Sequence, residues 1–260
     1  MELHLLRVEC DGLRALVRVN GVDVFTERVG AARQRDAKVD AWLGAGANRL
    51  EVFLAPRLDG ESAAMEPSPG ASFSVKVLRT DFSATEPLAV DVIGYAWDRV
   101  ASPLDGVGPF AVFAGVFVPS FTRGPWLWES ADARPFTAED TPDILGALDT
   151  LHAAMAARDV ATLQTLLRTK HDEVGRAVGV TRERIEHEMT EYLREVMAPE
   201  DWSVPRPDPQ TLVVNSWAGG RLLGVTDAFG RPPLVGQSKA GTFALPLVLS
   251  RTDGVWFVAR

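Results

Sequence analysis

A chain of 260 residues, 46% hydrophobic and 24% charged, has the size and composition of one large or two ordinary globular domains. Its net charge of −8 divides evenly, residues 1–136 and 137–260 each carrying −4, so no basic domain or tail is present and non-specific nucleic-acid binding is disfavoured. One cysteine, Cys10, excludes an internal disulfide and a cysteine metal cluster. The opening MELHLLRVECDGLR lacks the apolar run of a signal peptide, and nothing approaches the roughly 18 apolar residues of a membrane span, so the expected compartment is the cytoplasm, with no membrane partner.

Residues 1–55 read as strands. Leu13–Val19 alternates, runs into Asn20-Gly21 and continues as Val22–Phe25; Asn-Gly between alternating runs marks a type I′ hairpin, whose two central residues need positive φ. Val39–Leu43 and Leu50–Leu54 read as further strands about a turn at Gly44–Asn48. The stretches VRVNGVDVF and VDAWLGAGANRLEVFLAP resemble the galactose-binding type of β-sandwich module that accompanies many glycosidases, through Asn20, Gly21, Asp40, Leu43, Gly46, Asn48, Leu50 and Val52. These are mostly turn formers, so the resemblance implies a fold before it implies sugar binding. Sugar binding would further require an exposed aromatic such as Trp42 or Trp97 beside polar donors.

Residues 56–70 form a polar loop rich in Pro, Gly and Ser. Strands come next at Ser72–Thr80 and Leu88–Trp97, and Phe110–Pro119, apolar at nearly every residue, reads as a central strand covered on both faces. Seven or eight short strands with turn punctuation predict an antiparallel sandwich over residues 1–120. Residues 121–139 connect it to the helical half of the chain. Trp126, Leu127, Trp128 and Phe136 are too apolar for a mobile linker, and Trp126 and Trp128 point the same way if the chain is extended. Both are expected to be buried, at least one against the helical half, with the two domains moving together.

The first helical stretch begins at Thr141. Ile144, Leu148, Leu151 and Met155 share one face, Thr141 stands where an N-cap would precede Pro142, and Asp143 places a negative charge in the first turn. The chain breaks at Ala157–Asp159, and Asp159 can cap a second helix carrying Val160, Leu163, Leu166 and Leu167. Lys170–Gly179 reads as a short helical turn. A third helix starts at Thr181, with Ile185, Met189, Tyr192 and Val196 along one stripe. Three prolines break the chain between Asp201 and Pro209, and two hairpins end it, Thr211–Trp217 with Arg221–Thr226, and Phe243–Ser250 with Val255–Arg260.

LHAAMAARDVATLQTLL and PLVLSRTDGVWFVAR resemble the first helical hairpin and the closing hairpin of the cone-shaped superfamily that includes ketosteroid isomerase, nuclear transport factor and polyketide cyclases. The resemblance implies that residues 140–260 form a cystatin-like α+β cone, three helices on a curved antiparallel sheet, so that the whole chain is α+β. No clear strand separates the second and third helices, which departs from the family. The resemblance also implies a pocket holding a carboxylate base and oxyanion donors. Its candidate lining here is His152, Tyr192, Trp217 and Asp227. Each also has a plain structural role: core tyrosine, helix-boundary histidine, core tryptophan, turn aspartate.

Catalytic and metal signatures are missing. There is no HExxH, GxSxG, P-loop or GxGxxG, and Glu183, Glu186, His187 and Glu191 suit the solvated face of a helix. No cofactor, metal site or catalytic residue is assigned. One feature stands out: residues 139–201 carry 14 acidic and 7 basic side chains, whereas residues 202–260 net +3. The helical layer therefore presents negative charge, either as ordinary solvated faces or as a docking surface for a basic partner. The sequence favours a non-catalytic interaction protein, of the kind represented by bacterial immunity and antitoxin proteins. The alternative is a small-molecule enzyme or carrier using the cone pocket.

Overall fold

The computed structural model describes residues 2–59, 62–64, 66–81, 89–122, 124–239 and 241–260. It is an α+β structure of two compact units, Met1–Pro125 and Trp126–Arg260.

The first unit is all β. In chain order its strands are β1 (Glu2–Asp11), β2 (Leu13–Val19), β3 (Val22–Glu27), β4 (Arg33–Lys38), β5 (Asn48–Pro56), the short pair β6 (Leu58–Asp59) and β7 (Ser62–Ala63), β8 (Ser72–Asp81), β9 (Ala89–Ala96) and β10 (Phe110–Phe117). Leu88, which the sequence reading places at the start of the ninth strand, lies outside the described residues. Among the described residues two four-stranded antiparallel sheets form, ordered β4-β1-β8-β9 and β10-β5-β2-β3, beside the small β6-β7 pair. The cause is visible in the alternation. Leu13, Ala15, Val17 and Val19 of β2 and Leu50, Val52 and Leu54 of β5 share a core with Leu6, Val8 and Cys10 of β1 and Phe73, Val75 and Val77 of β8. Period-two burial on facing sheets makes a sandwich.

The β2–β3 turn has φ of 51° at Asn20 and 78° at Gly21, as the hairpin reading requires. Asn20 also holds the next turn: its amide donates to Trp42 O and Asn48 Oδ1, and Asn48 donates to the carbonyls of Gly44 and Gly46. Asp40 accepts from the backbone and Nδ1 of the buried His4. Three of the residues that carry the sandwich resemblance are thus committed to internal hydrogen bonds.

Three features depart from the sequence reading. Val39–Leu43 is not a strand; Asp40–Trp42 is a 3-10 turn organised by the Asp40–His4 bonds. Phe110–Pro119 is not a central strand. Among the described residues β10 pairs only with β5, at the sheet edge, and Val116 and Val118 are exposed. Arg33–Lys38 forms β4, an edge strand of polar sequence; charge on a free edge discourages pairing with another chain.

Among the described residues the second unit carries four α-helices, α1 (Thr141–Ala156), α2 (Val160–Leu166), α3 (Arg168–Val178) and α4 (Arg182–Met197), where the sequence predicts three. The short turn expected at Lys170–Gly179 is α3, an 11-residue helix. The strands are β11 (Val213–Trp217), β12 (Leu222–Thr226), β13 (Leu234–Ser238), β14 (Gly241–Leu245), β15 (Leu247–Thr252) and β16 (Val255–Val258). They form an antiparallel sheet, β11-β12-β15-β16, and a separate hairpin, β13-β14. Phe243–Ser250 is therefore two strands of different sheets, split at Pro246, which has no N–H for a ladder.

One apolar cluster joins the layers: Ile144, Leu148, Leu151 and Met155 of α1, Leu163 of α2, and Leu193 and Met197 of α4 meet Leu223, Val225, Leu247 and Leu249 of the sheet. Asp159 caps α2 through Thr162 N at 3.0 Å, and Thr181 caps α4 through Arg184 N at 3.3 Å. Thr141 lies inside α1; a 3-10 turn, Ala138–Asp140, leads into the helix. No helix among the described residues is long and apolar enough to cross a membrane.

Candidate functional site

The four residues suggested by the cone resemblance go to different neighbours. His152 Nε2 is 2.9 Å from Val204 O. Tyr192 is 45% exposed and meets Phe243 edge-on, ring centroids 5.9 Å apart. Trp217 lies against Gly224 of the neighbouring strand, so close that a Cβ there would meet the indole at 2.2 Å. Asp227 closes the turn after β12, accepting from the amides of Phe229 and Arg231 at 2.8 and 2.9 Å and from Arg231 Nε at 2.7 Å. Burial pushes its carboxyl up, but these donors outweigh that and hold it below the usual range. None of the four side chains lines the hollow at Arg7, Lys76 and Asp91, that at Gly146, Leu151 and Trp256, that at Leu148, Arg206 and Leu212, or that at Ala153, Ala157 and Thr162.

What the fold does assemble is an exposed helix face. α4 buries only Leu193 and Met197 fully, while Ile185, Met189 and Val196 of its apolar stripe are half-buried. Tyr192, on that same stripe, is 45% exposed, one edge of its ring against Phe243, and has Glu188, Glu191 and Glu195 near it along the helix. The reading of Tyr192 as a core residue is thereby corrected; Leu193, one position on, takes the buried place. Arginines answer part of the charge along the helix: Arg182 reaches Glu186 at 3.4 Å, Arg184 reaches Glu188 at 2.8 Å, and Arg194 reaches Glu191 at 3.0 Å.

A second, buried cluster joins α3 to the Trp126–Leu127 segment and Arg260. Glu173 of α3 is 2% exposed and accepts from Leu127 N and from Arg260 Nη1. Trp126, 1% exposed, has the guanidinium groups of Arg260 and Arg176 over its ring at 4.9 and 5.0 Å. Beside them, Lys170 Nζ donates to Pro246 O at 3.2 Å, and the His171 ring nitrogens have no partner among the described residues. The tryptophan pair is conspicuous in the sequence, but this ion cluster is not. Trp126, Glu173 and Arg260 stand far apart along the chain and meet only on folding, so no local spacing marks them. No cluster of three or more His, Cys, Asp or Glu suited to a metal occurs among the described residues. No family model, no curated protein and no solved structure matches the chain.

Proposed function

We propose that this protein is a non-catalytic interaction protein of the immunity- or antitoxin-like kind, acting in the cytoplasm, and that its acidic helical layer docks a basic macromolecule. The observation that carries the reading is α4: a helix with two fully buried side chains, an exposed Tyr192 on an otherwise half-buried apolar stripe, and Glu188, Glu191 and Glu195 around it. Exposed tyrosines amid complementary charge are favoured anchors of interfaces, and the charges steer encounter. We also take the second unit as a cone of the ketosteroid isomerase and nuclear transport factor type, supported by the α1–α2 bend at Asp159 and the Asp253-Gly254 turn before β16. The first unit we take as a sandwich of the galactose-binding type whose turn residues serve folding.

Co-purification from the native cell tests the docking role. The wild-type chain should retain a basic partner that salt releases, and Tyr192→Ala or the combined Glu188→Gln, Glu191→Gln and Glu195→Gln variant should lose it while remaining folded. Recovery of the wild-type chain alone at every salt concentration, or equal retention by the variants, overturns the reading.

A further inference from the structure

In the second unit a hollow of about 240 Å³ lies between α1, the end of α2 and the β15–β16 hairpin. Gly146, Ala147 and Thr150 form its α1 side, Leu166 and Leu249 line it further, and Trp256 belongs to its strand side. Every lining side chain is uncharged, although the surrounding helical layer is acidic.

Two features give the hollow a defined shape. Trp256 is held at two points: its Nε1 donates to Asp143 Oδ2 at 3.2 Å, and the Arg251 guanidinium sits over its ring at 5.0 Å. Arg251 is itself anchored to Asp132 and Asp140 at 3.2 and 3.1 Å. The indole is therefore a fixed wall and not a mobile flap. On the helix side stands Gly146 in the middle of α1, where a Cβ would meet nothing within 4 Å. Glycine in a helix interior is disfavoured relative to alanine, and no close approach at this position calls for it. Its effect is to leave the space open. Thr150 Oγ1 donates to Gly146 O at 2.8 Å, so its hydroxyl proton is committed while its lone pairs are available at the rim.

We infer that this hollow is a binding site for a small, neutral, planar aromatic molecule of one or two fused rings carrying one hydrogen-bond donor. The hollow opens to solvent at Gly146 and Thr150, and its volume admits a molecule of one or two rings lying against the apolar wall. The uncharged lining leaves a charged ligand without a counter-ion, and the fixed indole offers a surface for offset or edge-on ring packing. The Thr150 oxygen is placed to accept from the ligand's donor. The site is separate from the α4 face and does not depend on the docking reading.

Calorimetric titration of the full chain with indole tests this. Indole should bind saturably at one site, with a Kd on the order of 10 μM to 1 mM for a ligand of so few atoms. Gly146→Leu, which projects a side chain into the hollow and raises helix propensity, should weaken binding at least about tenfold without lowering Tm. Thr150→Leu, at the exposed rim, is a second blocking variant and should act in the same direction. Absence of saturable binding up to about 5 mM indole, or equal affinity in the wild type and in a folded blocking variant, overturns the inference.

Discussion

His171 is 2% exposed, and neither ring nitrogen is bonded to a described residue. Burial, and then the neighbouring Lys170 charge, push its pKa down to about 4 from 6.5. The unfolded chain takes up this proton at a higher pH than the folded one. The stability is therefore complete above pH 6.5 and is lost as pH falls from 6.5 towards 4. Urea unfolding at pH 7 and pH 4.5 should show a loss of up to about 3 kcal/mol attributable to this group. His171→Leu should flatten that dependence at little cost at pH 7, since no hydrogen bond is removed. Lys170 behaves with the same sign in a higher window. Desolvation, then Arg260, lower its pKa to about 8 from 10.5, so stability should rise as pH increases from 8 to 10.5. Lys170→Met should be more stable than wild type at pH 7 and should lack that rise. Glu173 is a different case, because its partner is equally buried: Arg260 is 6% exposed. Glu173→Gln leaves the guanidinium without its carboxylate and should cost about 3–5 kcal/mol in unfolding free energy, whereas replacing both partners with apolar residues should recover much of the loss.

Among the elements, the segment from Trp126 to Asp140 separates most clearly what is legible in the sequence from what is not. Two tryptophans in a connecting segment signal burial, and both are buried, at 1% and 5% exposure. Their partners are illegible. Trp126 meets Arg176 of α3 and Arg260 after β16, Asp132 N donates to Arg251 O at 2.8 Å, and Phe136 N donates to Ser216 Oγ at 3.1 Å. Gly220, at φ 86°, lets this segment pass so closely that a Cβ would meet the carbonyl carbon of Arg134 at 2.5 Å. Such contacts depend on the tertiary path and leave no local pattern. Helices α1 and α2 are legible because apolar spacing and the Asp159 cap agree. Strand β4 is not, because RQRDAK has no apolar face, and β10 is misplaced because an apolar run does not by itself separate a central strand from an edge. On α4, the stripe through Tyr192 and the buried Leu193 are neighbouring readings of one helix, and packing selects the latter. Trp126→Ala should cost about 3–5 kcal/mol, measured by chemical denaturation. A change below about 1 kcal/mol would show that the stacked guanidinium groups close over the gap, and would contradict the anchoring role.

At the scale of the whole molecule, two cores share no residue. One is built from Leu6, Val17, Val52 and Val75 with their neighbours, the other from Leu148, Met155, Leu193 and Leu249 with theirs. Each unit, Met1–Pro125 and Trp126–Arg260, has its own sheets and enough chain to sustain an independent core. The position of the boundary then becomes a measurable quantity. A division before residue 140, where the regular helices begin, would discard Trp126, Trp128, Asp132 and Arg134. It would leave Glu173 without the Leu127 amide, and Arg251 without Asp132. A division at Pro125/Trp126 keeps all of these. Residues 126–260 expressed alone should therefore unfold in one cooperative transition, and residues 140–260 should be lower by several kcal/mol or fail to fold, through loss of two buried tryptophans and of buried hydrogen-bond partners. Circular dichroism melts of the two fragments decide the matter. Equal stability would mean that the Trp126–Asp140 segment lies on the second unit without supporting it, and the ion cluster around Glu173 would then have to be stable on its own.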